Sequence, residues 1–261
     1  MSTSHGAFVS YYADASLQQA TLDRFAATKR AVTAAVQYFG LPSRRWNVAD
    51  IGCGVAAQCA MWARDGHAVF GVDINAPLIE LGRERIAAAK LEVELTVGSA
   101  TQLPWPDATM DICLCPELLE HVAEWQQVVH EAVRVLKPGG VLYLSTTNRL
   151  CPVQEEFALP GYSWYPGWLK RRYEKLSVTT RPELVNHAKY PAVNWFTTAG
   201  LSRYLASLGL KSLDRFDVAY LGGGSAARRA ALGLIRAVPP ARFLAHVMTP
   251  YTVLFSYKAP A

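Results

Sequence analysis

The sequence lacks several features that assign a protein to a class at first sight. No apolar run approaches the roughly 20 residues that cross a bilayer, so no transmembrane helix is expected. Residues 1–9 show no basic segment followed by an apolar core, so no signal peptide is expected either. No long run of Lys or Arg accompanies the net charge of +5, and we therefore predict no nucleic-acid partner.

Cysteine is scarce and is not arranged for metal binding. The five Cys residues, an odd number, form no C-x-x-C pair and no cluster with His, so the sequence predicts no metal site. Cys113 and Cys115 stand two apart in an apolar run, which places both on one face of a strand as small buried side chains. This usage is typical of a reducing compartment, and we expect a cytoplasmic location.

What the sequence does contain is a regular alternation of strands and helices. Such an alternation predicts a parallel sheet covered by helices on both faces, with ligands at the carboxyl ends of the strands. Asn75 is the expected N-cap of one helix, and Pro77 suits its first turn. The predicted strands are 47–51, 67–72, 92–97, 110–115 and 141–146, and the predicted helices are 17–39, 56–64, 75–89 and 122–136.

The alternation is interrupted after the fifth strand. Residues 147–195 show little periodicity and many aromatic side chains, and an insertion of this length is usually functional or a lid. We expect a single domain over 1–261, with this insertion covering the ligand site. The remaining predicted segments are a helix over 197–208, a strand over 211–219, a basic and apolar segment over 222–248 and a last strand over 251–257.

A glycine turn follows the first strand and predicts a nucleotide-like ligand. Gly52 and Gly54 let a ligand approach the backbone because they carry no Cβ. Asp73 ends the next strand, 21 residues after Gly52, where a carboxylate can bind both hydroxyls of a ribose. This arrangement is shared by two classes of protein, those that bind a dinucleotide and those that bind S-adenosylmethionine.

Asp50 distinguishes these two classes. An anion two residues before the glycine turn would repel a pyrophosphate, whereas it would attract an ammonium or sulfonium cation. Asp50 therefore favours S-adenosylmethionine, and an NAD-dependent oxidoreductase stays as the alternative.

Around this turn the chain resembles the class I S-adenosylmethionine-dependent methyltransferases, of the type common in quinone biosynthesis and small-molecule tailoring. The resemblance runs from about residue 47 to 148 and resumes near Thr197. Two departures are Ala56, where the family often has a third glycine, and Ser99, where it often has Asp. The similar segments, in family order, are Val48–Gly54, Val72–Ile74, Gly98–Ala100 with Leu103–Asp107, Glu117–Val122 and Leu136–Gly140.

The resemblance implies a fold, a cofactor and a binding site. The implied fold is a doubly wound, Rossmann-like α/β domain with a seven-stranded, mostly parallel sheet and an N-terminal helical lid over 1–46. The implied cofactor is S-adenosylmethionine, with S-adenosylhomocysteine as product. Asp50 and Gly52 would lie near its methionine part, Asp73 at the ribose and Ile74 on the adenine. The implied cofactor-binding residues are Tyr12, Asp50, Gly52, Cys53, Gly54, Asp73, Ile74, Ser99, Ala100, Thr101, Pro116 and Glu117.

Methyl transfer to an oxygen often needs a base that removes the acceptor's proton. His121, which follows the fourth strand, is the first candidate because imidazole titrates near neutrality, and His187 in the insertion is the second. We predict a small-molecule acceptor, methylated at a hydroxyl oxygen; aromatic or lipophilic acceptors suit the insertion. Nitrogen or carbon acceptors and a non-catalytic binding module remain open. Residues 226–247 are expected either to cover the sheet edge or to touch an anionic membrane.

Overall fold

The structure is a computed structural model and describes residues 15–185 and 192–260. Tyr12 and His187, two of the predicted site residues, lie outside the described residues.

Within the described residues seven strands form one sheet, in the order β3-β2-β1-β4-β5-β7-β6. The pairs β1–β2, β1–β4 and β2–β3 are parallel. The strand order reverses between β1 and β4, which is the point where such sheets bind ligands. The predicted doubly wound, mostly parallel sheet is therefore confirmed. The strands are β1 (Asn47–Ile51), β2 (Ala68–Asp73), β3 (Val93–Val97), β4 (Met110–Pro116), β5 (Leu136–Thr147), β6 (Leu210–Asp214) and β7 (Tyr251–Lys258).

Helices connect these strands, and four helices of the described residues begin at a side-chain cap, namely Asn75, Thr197, Asp214 and Ser225. Asn75 caps its helix by accepting from the backbone N–H of Leu78, as predicted. No helix in the described part of the chain is long and apolar enough to cross a membrane. The helices of the described residues are α1 (Gln19–Tyr38), α2 (Ala57–Ala63), α3 (Ala76–Ala88), α4 (Trp125–Val135), α5 (Gly167–Thr179), α6 (Thr198–Ser207), α7 (Arg215–Leu221), α8 (Ala226–Ala237) and α9 (Pro239–Val247).

The chain forms two compact units. The first unit comprises the described parts of 1–116, 126–143 and 256–261, and the second comprises the described parts of 117–125 and 144–255. The core of the first unit is the centre of the sheet, where β1 and β4 are buried on both faces. This explains why neither strand shows the alternating pattern of a half-exposed strand, although each contains one buried aspartate, Asp50 in β1 and Asp111 in β4.

The structure departs most from the predicted elements in β6, in β5 and in the aromatic insertion. The predicted strand over 211–219 is wrong beyond Asp214, because Asp214 and Asp217 form a capping box that starts α7 there. The fifth strand begins at Leu136, five residues before its predicted start, since the chain leaves α4 directly in an extended conformation. The aromatic insertion, which shows little periodicity in sequence, contains the helix α5.

Candidate active site

The glycine turn after β1 has the conformation for which its sequence is suited. Gly52 and Gly54 have φ angles of +81° and +51°, a region that strains residues with a side chain. The backbone N–H groups of Gly52 and Cys53 both donate to the carbonyl oxygen of Val72, at 2.8 and 3.1 Å. These bonds hold the turn against the end of β2, where Asp73 lies.

Ala56 stands where the family that the chain resembles often has a third glycine, and its backbone is also in the left-handed conformation. Its φ is +60° and it stands at the N-terminus of α2. A left-handed alanine costs about 1–2 kcal/mol, so the turn stores backbone strain close to the predicted ligand.

Asp73 is oriented by two backbone donors. Its Oδ2 accepts from the N–H of Gly54 at 2.9 Å, and its Oδ1 accepts from the N–H of Asn75 at 2.8 Å. Partial burial raises the pKa of Asp73, although both hydrogen bonds lower it. Each carboxylate oxygen has a second lone pair, so two further donors, such as the two hydroxyls of a ribose, can still be bound.

Asp50 is a buried carboxylate with an unsatisfied oxygen. The residue is 2% exposed, and it lies in register between Gly71 of β2 and Leu114 of β4. Its Oδ2 accepts from the thiol of Cys59 at 3.2 Å, but its Oδ1 has no partner among the described residues. Burial raises the pKa of Asp50 to about 7. A cation that reaches Oδ1 would supply the missing interaction, because a buried carboxylate without a partner is costly.

The loop after β3 lies beside Asp73. The N–H of Gly98 donates to the carbonyl oxygen of Asp73 at 3.0 Å. The hydroxyl of Ser99 is 2.7 Å from that of Thr101 and accepts from its N–H, so Ser99 is already bonded within its own loop, which also contains Ala100. Ile74, next to Asp73, is apolar and 75% exposed, so its side chain is accessible to a flat ligand.

The fourth predicted segment begins where β4 ends. Pro116 is the last residue of β4 in the first unit, and Glu117 begins the second unit. Glu117 has a φ of +49°, and its N–H donates to the carbonyl oxygen of Ser145 at 2.7 Å. A left-handed glutamate at this position is a further strained backbone site, of the kind that clusters at functional sites.

The second unit groups Glu120, His121 and Glu156. Each side chain offers one atom that can bind a metal, and these three atoms lie within 4.8 Å of one another. They are close enough to hold a divalent cation or to share protons. Oε2 of Glu120 accepts from the hydroxyl of Thr146 at 2.8 Å, while its Oε1 is buried and has no partner in the described part of the chain. Burial raises the pKa of Glu120 well above its usual value and that of Glu156 to about 7.

Sequence reasoning missed two contributors to this group. Glu156 lies in the aperiodic insertion, so no spacing in the sequence relates it to His121. Asn194 holds the segment before and after His121, because its side-chain amide donates to the carbonyl oxygens of Leu119 and Val122, at 2.9 and 2.7 Å. Neither residue belongs to a motif, and only the folded chain brings them to the group.

The aromatic insertion is partly core and partly surface. Tyr162 is fully buried. Its ring stacks on that of Phe157, with 4.0 Å between ring centroids, and packs edge-on against Trp195, with 5.6 Å between centroids. Trp164 and Trp168, in contrast, are 61% and 62% exposed. The buried rings build the core of the second unit, and the exposed ones are available to a ligand or partner.

Known proteins resemble the chain in sequence and in fold. Residues 49–144 match the model of a family described as "Methyltransferase domain". The chain is 30% identical to a ubiquinone biosynthesis O-methyltransferase of Chelativorans sp. (strain BNC1), over 69% of this chain and 64% of the relative. It is 31% identical to a demethylmenaquinone methyltransferase of Listeria monocytogenes serotype 4a (strain HCC23), over 59% of this chain and 73% of the relative.

The chain thus spans slightly less than two thirds of the ubiquinone-biosynthesis relatives that it matches. Among solved structures, it shares the fold of a putative sarcosine dimethylglycine methyltransferase from Galdieria sulphuraria. That match has a TM-score of 0.57 and 16% identity, and it covers 89% of this chain and 86% of the other. Together with the motifs and the sheet order, these similarities establish that the chain belongs to the class I S-adenosylmethionine-dependent methyltransferases.

Proposed function

We propose that this protein binds S-adenosylmethionine and catalyses methyl transfer to a hydroxyl oxygen of a small molecule. The observation that carries the proposal is the carboxylate of Asp50, buried beside the glycine turn with one oxygen unsatisfied. A site for NAD would put a pyrophosphate near this turn, and a second anion there would be repelled. A positively charged ligand instead satisfies Asp50.

In this proposal, different residues of the first unit bind different parts of the cofactor. Asp50 faces the cationic methionine part, and Gly52 and Gly54 leave room for it. Asp73 accepts hydrogen bonds from the ribose hydroxyls, since one lone pair remains on each of its oxygens. The exposed side chain of Ile74 packs on the adenine ring, and the family affiliation supports each of these roles.

Bound S-adenosylmethionine supplies an electrophilic methyl group on a positively charged sulfur. The protein's part is to align the acceptor, exclude water and remove a proton from the attacking hydroxyl. His121 is the base in this proposal. The carboxyl groups of Glu120 and Glu156 lie beside it, close enough to accept a hydrogen bond or a proton from the imidazolium that forms. Oxygen as the acceptor atom is also supported by the name of the Chelativorans relative, an O-methyltransferase of ubiquinone biosynthesis.

The acceptor class follows from the same comparison. Two relatives bear names from quinone biosynthesis, and the exposed rings of Trp164 and Trp168 suit an aromatic acceptor. We therefore propose a hydroxylated aromatic compound of the kind from which quinones are made.

The proposal is tested by binding and by turnover. Isothermal titration calorimetry with S-adenosylhomocysteine and with NAD should give tight binding of the first and none of the second. A panel of phenolic, amine and activated-carbon acceptors, incubated with the methyl donor and analysed by mass spectrometry, should show methylated phenols. Binding without any turnover would indicate a non-catalytic module, and NAD binding would overturn the cofactor assignment.

A further inference from the structure

The helices α8 and α9 of the second unit expose apolar side chains to an unusual degree. Across both helices only Leu232 is buried, although the segment is rich in apolar residues. We call the exposed residues the α8–α9 face. Its members are Leu234 (60% exposed), Val238 (37%), Phe243 (56%), Leu244 (61%) and Met248 (79%).

The polar side chains of these helices point the other way and anchor them. Arg236 pairs with Asp217 at 2.9 Å, and Arg242 and His246 pair with Asp214 at 2.7 and 2.8 Å. A surface helix ordinarily buries its apolar side and exposes its charges. Here the buried Asp214 and Asp217 bind polar side chains of these helices, and the apolar side chains stay exposed, so the exposure is built into the fold.

The charge of the segment identifies what can cover this face. Residues 226–247 contain four arginines and no acidic residue. Two of the arginines are paired inward, and the other two, Arg228 and Arg229, are exposed at the start of α8. An apolar face flanked by cations is complementary to an anionic lipid surface, where the apolar side chains enter the headgroup boundary and the cations meet the phosphates.

We propose that the α8–α9 face docks the protein on the surface of an anionic lipid bilayer. The two helices, 12 and 9 residues long, are too short to span a bilayer, so they would lie in the plane of its surface. A second copy of the chain is the poorer partner, because a symmetric contact would bring the exposed arginines of both copies together. The proposal does not depend on methyl transfer and stands even if the proposed acceptor is wrong.

Vesicle flotation with the full chain tests the proposal. Vesicles of phosphatidylglycerol and phosphatidylcholine in equal parts should carry the protein upward, and pure phosphatidylcholine should not. The double variant Phe243→Gln/Leu244→Gln should lose at least tenfold in partitioning. Arg228→Gln/Arg229→Gln should lose about tenfold or more and remove much of the salt dependence of binding.

The matched controls lie on α5 of the same unit. Arg171 and Arg172 are an adjacent exposed pair, and Val178 is 64% exposed, so Arg171→Gln/Arg172→Gln and Val178→Gln should float like the wild type. Thermal melts confirm that each variant folds. The proposal is overturned if the control variants lose as much vesicle binding as the α8–α9 variants. It is also overturned if the α8–α9 variants float like the wild type, or if the wild type does not bind anionic vesicles. A dimer, measured by light scattering, that Phe243→Gln/Leu244→Gln dissociates would overturn it as well.

Discussion

The backbone N–H of Gly54 donates to Oδ2 of Asp73 across 2.9 Å, which joins the glycine turn after β1 to the carboxylate at the end of β2. A second bond, from the N–H of Asn75 to Oδ1, fixes the plane of the carboxylate. Asp73 is thus oriented before any ligand arrives. Such preorganisation lowers the entropic cost of binding, because the side chain is already held in one rotamer and loses little conformational freedom.

Replacing Asp73 by Ala should nearly abolish cofactor binding. Two charge-assisted hydrogen bonds to a ribose contribute about 1.5–3 kcal/mol each, so we expect the Kd for S-adenosylhomocysteine to rise at least about 100-fold. Calorimetric titration measures it. Asp65→Ala is the control, since Asp65 is half-exposed and pairs with Lys29. Unchanged affinity in Asp73→Ala would remove Asp73 from the proposed site.

The motif-bearing half of the chain was largely predictable from sequence, for physical reasons. The strand Asn47–Ile51 is predicted with its observed bounds, because Val48, Ala49 and Ile51 are apolar and a glycine turn follows them directly. The helix after Asn75 was predicted for a similar reason, since its cap and Pro77 are local signals. The fold and the family, which rest on these local patterns, can therefore both be predicted from the sequence.

What escaped prediction depends on contacts between residues distant in sequence. Glu156 meets His121 across 35 positions of sequence, and Glu156 itself lies in the aperiodic insertion, where no motif marks it. The early end of β6 has a local cause instead: Asp214 and Asp217, three residues apart, form a capping box that starts α7 inside the segment predicted as strand. The state of Asp50 was also hidden, since its raised pKa comes from burial, which no local pattern reveals.

Binding of S-adenosylmethionine should become tighter as the pH rises toward neutrality. Burial raises the pKa of Asp50 to about 7, so the carboxyl is mostly protonated below that pH and must ionise to attract a cation. The affinity should fall by up to about tenfold per pH unit below 7. Titrations between pH 5.5 and 7.5 measure the slope, which Asp50→Asn should remove. The same slope in that variant would mean that another group titrates.

The same shift has a consequence for the ligand-free protein. A carboxyl whose folded pKa lies above its unfolded value of 3.8 contributes stability that is complete at low pH and is lost as the pH rises through about 7. Cofactor binding supplies the missing counter-charge. We therefore expect S-adenosylmethionine at a fixed excess to raise the Tm more at pH 7.5 than at pH 6, which thermal melts can check. An equal rise at both pH values would contradict this account.

His121→Ala should lower kcat for a hydroxyl acceptor by about 100-fold or more while leaving the affinity for S-adenosylhomocysteine unchanged. The reason is that His121 acts on the acceptor's proton and not on the cofactor. His130→Ala is the matched control, because His130 is exposed on α4 of the first unit. Full activity of His121→Ala would exclude it as the base. Activity that is lost with a chelator and restored by a divalent cation would instead assign Glu120, His121 and Glu156 to metal binding.

Asp214→Asn should destabilise the second unit. Asp214 is 4% exposed and accepts from Arg242, His246 and the N–H groups that begin α7, so it connects β6 to α9. Burial alone would raise its pKa, but these hydrogen bonds hold the pKa below its usual value.

A depressed pKa means that the stabilisation is present at neutral pH and is lost as the pH falls below about 4. We expect a loss of about 2 kcal/mol in the free energy of unfolding, discounted because Arg242 is a third exposed. Urea melts at pH 7 and at pH 3 measure it, and the difference from the wild type should shrink at the lower pH. Asp107→Asn, which removes a carboxylate that is 78% exposed and pairs with Arg134, should cost at most about 0.5 kcal/mol. Equal losses in the two variants would show that the pairs of Asp214 contribute no more than an exposed one.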